Sequence, residues 1–274
     1  MSLLEAIVLG IIQGLTEFLP ISSTAHLRFV PAVFGWDDPG AAFTAITQVG
    51  TLAAVVIYFR HDLVRIAAAW LRGLGKPLRE LAFEARLGWF IVIGTIPIVV
   101  LGVVFAADVE TGARNLRLLA WTMIGLGVLL LIAEWTASHV RPLRALRLGD
   151  ALFIGLAQAA ALVPGVSRSG VTLTAGLFVG LRREAAARYS FLLSIPAVFA
   201  AGIYELFAEV IGETAIGISA GPAIVATVLA FVSGYAAIAG LLAFLRRHST
   251  LPFIVYRVVV GILILVLVEA GSIE

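Results

Sequence analysis

Hydrophobic residues form six windows along the chain, each close to the length needed to cross a lipid bilayer. The windows cover residues 41–59, 87–107, 116–133, 189–208, 223–245 and 253–268. A membrane-spanning helix needs about 20 mostly apolar residues, because each residue adds only about 1.5 Å along the helix axis. The pattern therefore predicts an all-α polytopic membrane protein with six transmembrane helices.

The basic residues between these windows predict which side of the membrane each connection faces. Fourteen of the 19 Lys and Arg residues lie in four segments, 60–86, 134–150, 182–188 and 246–248. The connection 209–222 contains two Glu and no basic residue. Because cytoplasmic connections carry an excess of Lys and Arg, the four basic segments are predicted to be cytoplasmic and both termini external. The amphipathic first segment is predicted to lie along the cytoplasmic surface.

The overall composition agrees with a membrane protein. Of the 274 residues, 61% are hydrophobic and 13% are charged, about half the charged fraction of an average soluble domain. The absence of Cys excludes disulfides and thiolate metal sites. The net charge of +2 says little about partners, and no nucleic-acid partner is expected. The N-terminus lacks the basic segment of a cleavable signal peptide. We therefore predict a single membrane domain over residues 1–274.

Two further segments cannot cross the membrane under this assignment. Residues 151–181 begin and end beside cytoplasmic segments, so they must enter and leave on the same side. Residues 1–40 precede a helix that descends from outside, and Pro20 interrupts them. Each arm has about 16 residues, which is too short for the hydrocarbon core. Both segments are predicted to be re-entrant helical hairpins.

The halves 1–134 and 150–274 then match, each consisting of a hairpin followed by three crossings. A sequence echo supports the match, since GIIQGLTEFLPISS (10–23) resembles GLAQAAALVPGVSRS (155–169). We predict an inverted-topology repeat. Such repeats place the functional site near the membrane midplane, where the broken helices meet.

The second break, PGVSRSGVT, predicts an anion-binding site. An arginine at the bilayer centre costs about 2.5–3.5 kcal/mol, so Arg168 must have a compensating partner. A helix start offers free N–H groups, and Arg168 adds a forked donor with a permanent charge. The predicted phosphate-binding residues are Ser167, Arg168, Ser169, Gly170 and Thr172. The alternative is that Arg168 pairs with a buried carboxylate and only fixes the hairpin.

The first break, QGLTEFLPISSTAH, carries different chemistry. Gln13 and Glu17 lie four residues apart and share a helix face, where they are candidate ligands for a metal ion. Ser22, predicted to contact phosphate, precedes Ser23, and His26 follows three residues later. A carboxylate, a hydroxyl and an imidazole are the groups needed for nucleophilic attack with acid–base assistance. The alternatives are a helix-capping serine, a Glu17 that balances Arg168, and a hydrogen-bonded core histidine.

Other polar residues in apolar segments receive structural interpretations. Gln48 and Gln158 are expected to form interhelical hydrogen bonds. Arg257, near the inner end of the last window, is expected to extend its side chain toward the interface. No role is assigned to His61, His139 or His248.

The two motifs resemble the signatures of the bacterial undecaprenyl-diphosphate phosphatase family, also called the bacitracin-resistance family. The likeness extends over the full chain in length, hydrophobic layout and hairpin positions. This sequence departs from the family pattern at Gln13, where many members have Glu, and at Ala25, where the family has Gly. The pattern Pro-Gly-x-Ser-Arg-Ser-x-x-Thr is intact through Thr172.

The resemblance implies hydrolysis of undecaprenyl diphosphate to undecaprenyl phosphate and phosphate, which recycles the lipid carrier for cell-wall synthesis and confers bacitracin resistance. It further implies a divalent cation, Mg²⁺ or Ca²⁺, and an active site that opens to the outer face of the bacterial plasma membrane. Glu17, Ser23, His26 and Arg168 are the implied catalytic residues. The nucleophile is Ser23 or His26, and the commoner pairing of a hydroxyl with an imidazole favours Ser23. The oligomeric state stays open, a homodimer included.

A second hypothesis is a transporter or flippase for an anionic polyprenyl phosphate or a small anion. Inverted repeats with opposed hairpins are a transporter architecture. A transporter needs Arg168 and the nearby hydroxyls, but it has no need for Glu17, Ser23 and His26 together. This cluster favours hydrolysis.

Overall fold

The computed structural model describes residues 1–105, 115–212 and 219–273. Within these ranges the chain forms eleven α-helices and no strand, with one isolated bridge between Arg141 and Leu181. The helices are α1 Leu3–Phe18, α2 Ser23–Phe34, α3 Gly40–Tyr58, α4 Arg60–Arg72, α5 Phe83–Val104, α6 Leu116–Thr136, α7 Leu148–Ala159, α8 Arg168–Phe178, α9 Arg183–Gly212, α10 Ala220–Leu245 and α11 Leu251–Glu269.

Five of these helices are long and apolar enough to cross a membrane, namely α5, α6, α9 over Arg183–Gly202, α10 and α11. A sixth candidate is the bent pair Ala42–Tyr58 and Arg60–Arg72, whose axes differ by 73°. The prediction of an all-α polytopic membrane protein is confirmed for the described residues. The first predicted window ends at this bend, after which the amphipathic α4 takes a new direction.

Charged residues join the ends of several helices. Glu134, which the sequence places in a basic connection, lies in the last turn of α6 and pairs with Arg183 at the start of α9. The other oxygen of Glu134 accepts a hydrogen bond of 2.7 Å from the Thr250 hydroxyl before α11. Arg188 on α9 likewise pairs with Asp62 on α4. These charged side chains lie just outside the predicted apolar windows, and each of them pairs with a residue of opposite charge.

Glycines allow each broken helix pair to pack tightly on a long helix. A Cβ atom added at Gly10 of α1 would lie 2.5 Å from the carbonyl oxygen of Ala226 on α10. A Cβ atom added at Gly155 of α7 would lie 2.6 Å from the backbone of Gly94 on α5. Because no side chain fits in either gap, the two backbones approach closely. These two close helix contacts fix the positions of α1 and α7, and therefore the positions of the two breaks that follow them.

Candidate active site

The chain breaks between α1 and α2 and again between α7 and α8, and both breaks end in a serine with the same unusual backbone conformation. Ser22 has φ 74° and ψ 102°, and Ser167 has φ 70° and ψ 112°. Each serine caps the following helix, because its Oγ accepts a hydrogen bond from Ala25 N or Gly170 N. A positive φ is uncommon outside glycine, and such strained residues concentrate at functional sites.

Glu17 connects the two breaks. Its Oε1 pairs with Arg168 of the second break. Its Oε2 accepts a hydrogen bond of 2.9 Å from the Ser23 hydroxyl and one of 3.2 Å from Gln13 Nε2. The Glu17 side chain is only 7% exposed, so these three donors stabilise a carboxylate that has lost most of its water. The structure thus brings together four residues that the sequence singled out.

A cavity of about 330 Å³ opens beside this cluster. Its polar end is lined by Glu17, Ser22, Ser23, Ser167 and Arg168. Its apolar lining comes from α5, α9 and the segment before the second break, and consists of Ile98, Val99, Val103, Leu162, Ala197, Ala200 and Ala201. Gln48, expected to form interhelical bonds, also lines the cavity. The cavity suits a ligand with a charged end and an apolar body.

The other hydroxyls of the second break are bonded within the protein. Ser169 Oγ donates to the Leu19 carbonyl at 3.1 Å, and it lies 3.2 Å from Ser167 Oγ. Thr172 Oγ1 donates to the Arg168 carbonyl at 2.7 Å and contacts Ser190 Oγ at 2.5 Å. Neither Ser169 nor Thr172 lines the cavity, and Gly170 N is occupied by its cap. Of the predicted phosphate-binding residues, the cavity therefore presents Ser22, Ser167 and Arg168.

His26 lies outside the cavity and is 6% exposed. Its Nδ1 is 2.7 Å from the carbonyl oxygen of Ser22, and its Nε2 is 2.8 Å from the Tyr256 hydroxyl. Because a carbonyl only accepts, Nδ1 carries the proton and Nε2 accepts from Tyr256. In this arrangement both ring nitrogens are bonded away from Ser23. The sequence placed His26 beside Ser23, whereas the structure turns it toward α11.

The sequence interpretation of Arg257 was wrong. Its side chain is fully buried, with 0% exposure, and it bonds to backbone carbonyls instead of extending to the interface. Tyr256, the partner of His26, was not predicted from the sequence as a residue of this region. An arginine well inside an apolar helix is itself a signal of function. Its partners are carbonyls, which no sequence motif reveals.

Gln13 and Glu17 are the candidate metal ligands. Gln13 is buried, and its Oε1 has no hydrogen-bond partner in the described part of the chain. Residues 1–105, 115–212 and 219–273 contain no group of three His, Asp or Glu that could hold a metal ion by themselves. A cation held by Glu17 and Gln13 would need further ligands beyond these two side chains. Diphosphate oxygens and water are such ligands.

Helices long and apolar enough to span a membrane surround a buried cluster of charged and hydroxyl side chains at two broken helices, and these features define an integral-membrane protein. The chain belongs to the bacitracin resistance protein BacA family, whose family model matches residues 6–263. The family resemblance seen in the two motifs is thereby confirmed. The chain is a multi-pass bacterial membrane protein.

Several curated relatives are similar over nearly their full length. An undecaprenyl-diphosphatase of Myxococcus xanthus is 54% identical over 274 residues, which is 100% of this chain and 92% of the relative. One of Chlorobium phaeovibrioides is also 54% identical, over 99% of both chains. Undecaprenyl-diphosphatase 3 of Frankia alni is 51% identical over 100% of this chain and 97% of the relative.

Proposed function

We propose that the chain is an integral-membrane phosphatase that hydrolyses undecaprenyl diphosphate to undecaprenyl phosphate and phosphate. This reaction recycles the lipid carrier for peptidoglycan and other cell-wall polymers, and it accounts for bacitracin resistance. The observation that carries the proposal is the Ser23 hydroxyl bonded to Glu17 at 2.9 Å, next to Arg168, at the polar end of a partly apolar cavity. The names of the relatives support the same substrate.

The site provides each group that the reaction needs. Ser23 Oγ attacks the terminal phosphorus while its proton passes to Glu17, which accepts its hydrogen bond. The bond to the bridging oxygen breaks, and undecaprenyl phosphate leaves with the electron pair. Water then attacks the phosphoserine, Glu17 returns its proton to Ser23 Oγ, and dihydrogen phosphate leaves. Ser23 is the nucleophile in this scheme because both nitrogens of His26 are bonded elsewhere.

Arg168 changes partner during the cycle. Without substrate its charge is balanced by Glu17. A diphosphate carries more negative charge than one carboxylate, so it competes for the guanidinium, which binds phosphate oxygens in bidentate fashion. Glu17 is then free to take the Ser23 proton. This exchange couples substrate binding to activation of the nucleophile.

Glu17 and Gln13 are the residues that would hold a divalent cation, Mg²⁺ or Ca²⁺. The Glu17 carboxylate and Gln13 Oε1, which has no hydrogen-bond partner among the described residues, are hard oxygen ligands. Mg²⁺ is commonly held by one or two carboxylates together with substrate phosphates, so a single Glu is sufficient. When bound, the cation would neutralise charge on the diphosphate.

The apolar side of the cavity suits the first part of the isoprenoid chain. Val99 and Val103 come from α5, and Ala197 and Ala201 come from α9. The small alanines leave room for a chain between the two helices. The lipid would therefore enter sideways from the membrane while its diphosphate reaches Arg168.

We propose six crossings and two re-entrant hairpins arranged as an inverted repeat, with the site open to the outer face of the plasma membrane. Ser22 lies nine positions after Gln13, and Ser167 lies nine positions after Gln158. The equal spacing, the shared serine conformation and the close helix contacts at Gly10 and Gly155 support the repeat. A cysteine in place of Lys76 should react with a membrane-impermeant maleimide only from the cytoplasmic side. Labelling only from the outside would show that the orientation is the opposite of the one proposed.

The decisive experiment measures phosphate release from undecaprenyl diphosphate by the purified protein in lipid nanodiscs, with and without a chelator. We expect release that the chelator suppresses and that added Mg²⁺ or Ca²⁺ restores. Absence of release from folded protein with either cation would reject the phosphatase.

A transporter or flippase is the second candidate, favoured by the matched geometry of the two breaks. Reconstituted vesicles that carry undecaprenyl phosphate in one leaflet test it. Transfer between leaflets that persists in Ser23→Ala, together with no phosphate release by the parent, would favour transport.

A further inference from the structure

Arg257, in the second turn of the apolar helix α11, is a fully buried cation. Its guanidinium donates to four backbone carbonyls, those of Met123 at 3.1 Å, Pro20 at 2.9 Å, Gly165 at 3.3 Å and Val166 at 3.2 Å. None of the ion pairs in the described ranges includes Arg257. Its hydrogen bonds therefore all go to the backbone.

Three of these four carbonyls belong to the two breaks, and the fourth, that of Met123, lies in α6. Pro20 lies in the first break, while Gly165 and Val166 lie in the second. A broken helix leaves carbonyls without a partner in its own helix, and inside a membrane such groups need another donor. Arginine has five N–H donors in a rigid fork, so one side chain can serve several carbonyls at once. A lysine has three donors on a single atom.

We propose that Arg257 is a positioning residue for the phosphatase reaction, which holds the two breaks at a fixed distance from each other. The inference rests on the proposed function of the site. Pro20 is three residues before Ser23, and Val166 is two residues before Arg168. Arg257 therefore sets the position of the nucleophile relative to the anion-binding arginine without lining the cavity.

The same bonds determine which polar groups face the ligand. The three carbonyl oxygens of the breaks point toward Arg257, on α11. A carbonyl oxygen that faced the cavity would repel a diphosphate. With these oxygens bonded to Arg257, the polar end of the cavity is lined by the side chains of Glu17, Ser22, Ser23, Ser167 and Arg168.

The test compares Arg257→Lys and Arg257→Gln with the parent in nanodiscs, using monodisperse protein and rates per folded molecule. Arg257→Gln removes the buried charge, leaves no carboxylate unpaired and keeps two N–H donors for the carbonyls, so the variant should fold. The control is Arg183→Lys, which also loses an arginine fork, but from the Glu134 pair at the end of α6. Two measurements are made, steady-state phosphate release and amide hydrogen exchange of the two breaks.

We expect kcat to fall about 10- to 100-fold in both Arg257 variants, because a displacement of about 1 Å at a reacting group can cost about 10²-fold. KM should change by less than about threefold, since Arg257 does not line the cavity. Amide exchange should become faster in both breaks together. Arg183→Lys should lower the melting temperature while leaving kcat and the exchange of the breaks at parent values.

Two results would overturn the proposal. A kcat within about twofold of the parent in folded Arg257→Lys and Arg257→Gln would show that Arg257 has only a structural role. Unchanged amide exchange in both breaks would show that Arg257 does not hold them together. A parent that releases no phosphate rejects the proposed function instead, and the exchange measurement still decides whether Arg257 joins the breaks.

Discussion

The two breaks share a backbone and differ in chemistry. Ser22 and Ser167 cap their helices with nearly the same φ and ψ angles, and the next residue in each case lines the cavity. That residue is Ser23 in the first break and Arg168 in the second. One local geometry therefore delivers the hydroxyl that we propose as the nucleophile from one side and a cation from the other. The backbone presents the residue, and the side chain decides its role.

The helical arms that precede the two breaks also carry residues of different chemistry at equivalent positions. Four residues after Gln13 the chain has Glu17, and four residues after Gln158 it has Leu162. Both residues line the cavity. The first arm thus supplies a carboxylate, while the second supplies an apolar surface. Under the proposed mechanism, the acid–base chemistry belongs to the first hairpin alone.

The largest expected effect is the loss of Ser23. Ser23→Ala removes the attacking oxygen, so kcat should fall by at least about 10⁴-fold at every pH. Phosphate release per folded molecule measures the loss. Ser249→Ala, which removes a hydroxyl from an exposed loop, is the control and should keep parent activity. A Ser23→Ala enzyme that stays within tenfold of the parent would exclude Ser23 as the nucleophile.

Glu17→Gln should come next, with kcat lower by about 10²- to 10⁴-fold, because the side chain keeps its size but no longer accepts the Ser23 proton. The control is Glu134→Gln, which breaks a comparable pair with Arg183 far from the cavity. That variant should lose thermal stability and keep its turnover per folded molecule. If Glu17→Gln behaves in the same way, Glu17 only balances Arg168.

Arg168→Lys tests the second break. The lysine keeps the charge but loses the bidentate fork, and one charge-assisted hydrogen bond contributes about 1.5–3 kcal/mol, so kcat/KM should fall about 10- to 100-fold. Both KM and kcat should worsen, and Arg168→Ala should lose more. Arg246→Lys, in an exposed pair with Glu184, serves as the control. Near-normal hydrolysis by Arg168→Ala would show that Arg168 has only a structural role.

The smallest effect is expected for His26→Ala. His26 bonds to Ser22 and Tyr256 outside the cavity, so kcat should fall only about tenfold or less, the range of a lost supporting contact. The pH profile should keep its shape, and Tyr256→Phe should resemble His26→Ala. A loss as large as that of Ser23→Ala, with a phosphohistidine trapped by acid-free quenching, would make His26 the nucleophile.

Much of this arrangement could be predicted from local patterns. Long apolar runs specify membrane helices, since the bilayer requires about 20 residues regardless of what surrounds them. Pro20 and Pro164 mark both breaks for a similar reason, because proline removes a backbone donor. The likeness of the two motifs also placed Glu17, Ser23 and Arg168 in one candidate site, and the structure brings them together.

Side-chain direction and long-range partners could not be predicted. Spacing alone allowed His26 to lie beside Ser23, yet the carbonyl of Ser22 and the hydroxyl of Tyr256 turn it away. Ser169 and Thr172 were expected to bind phosphate, but they bond to Leu19, Arg168 and Ser190. Several acceptors compete for each hydroxyl or imidazole, and only folding decides which one is within reach.

The sequence by itself determined the membrane helices, the two breaks and the chemical groups that stand next to them, because these depend on hydrophobicity and on the backbone limits of proline and glycine. The tertiary structure decided that Glu17 bonds to both Ser23 and Arg168, and that Arg257 bonds to both breaks. These contacts join residues up to 237 positions apart. A carbonyl oxygen has the same chemistry at every residue, so only the packing of α11 against the breaks selects the ones that Arg257 binds.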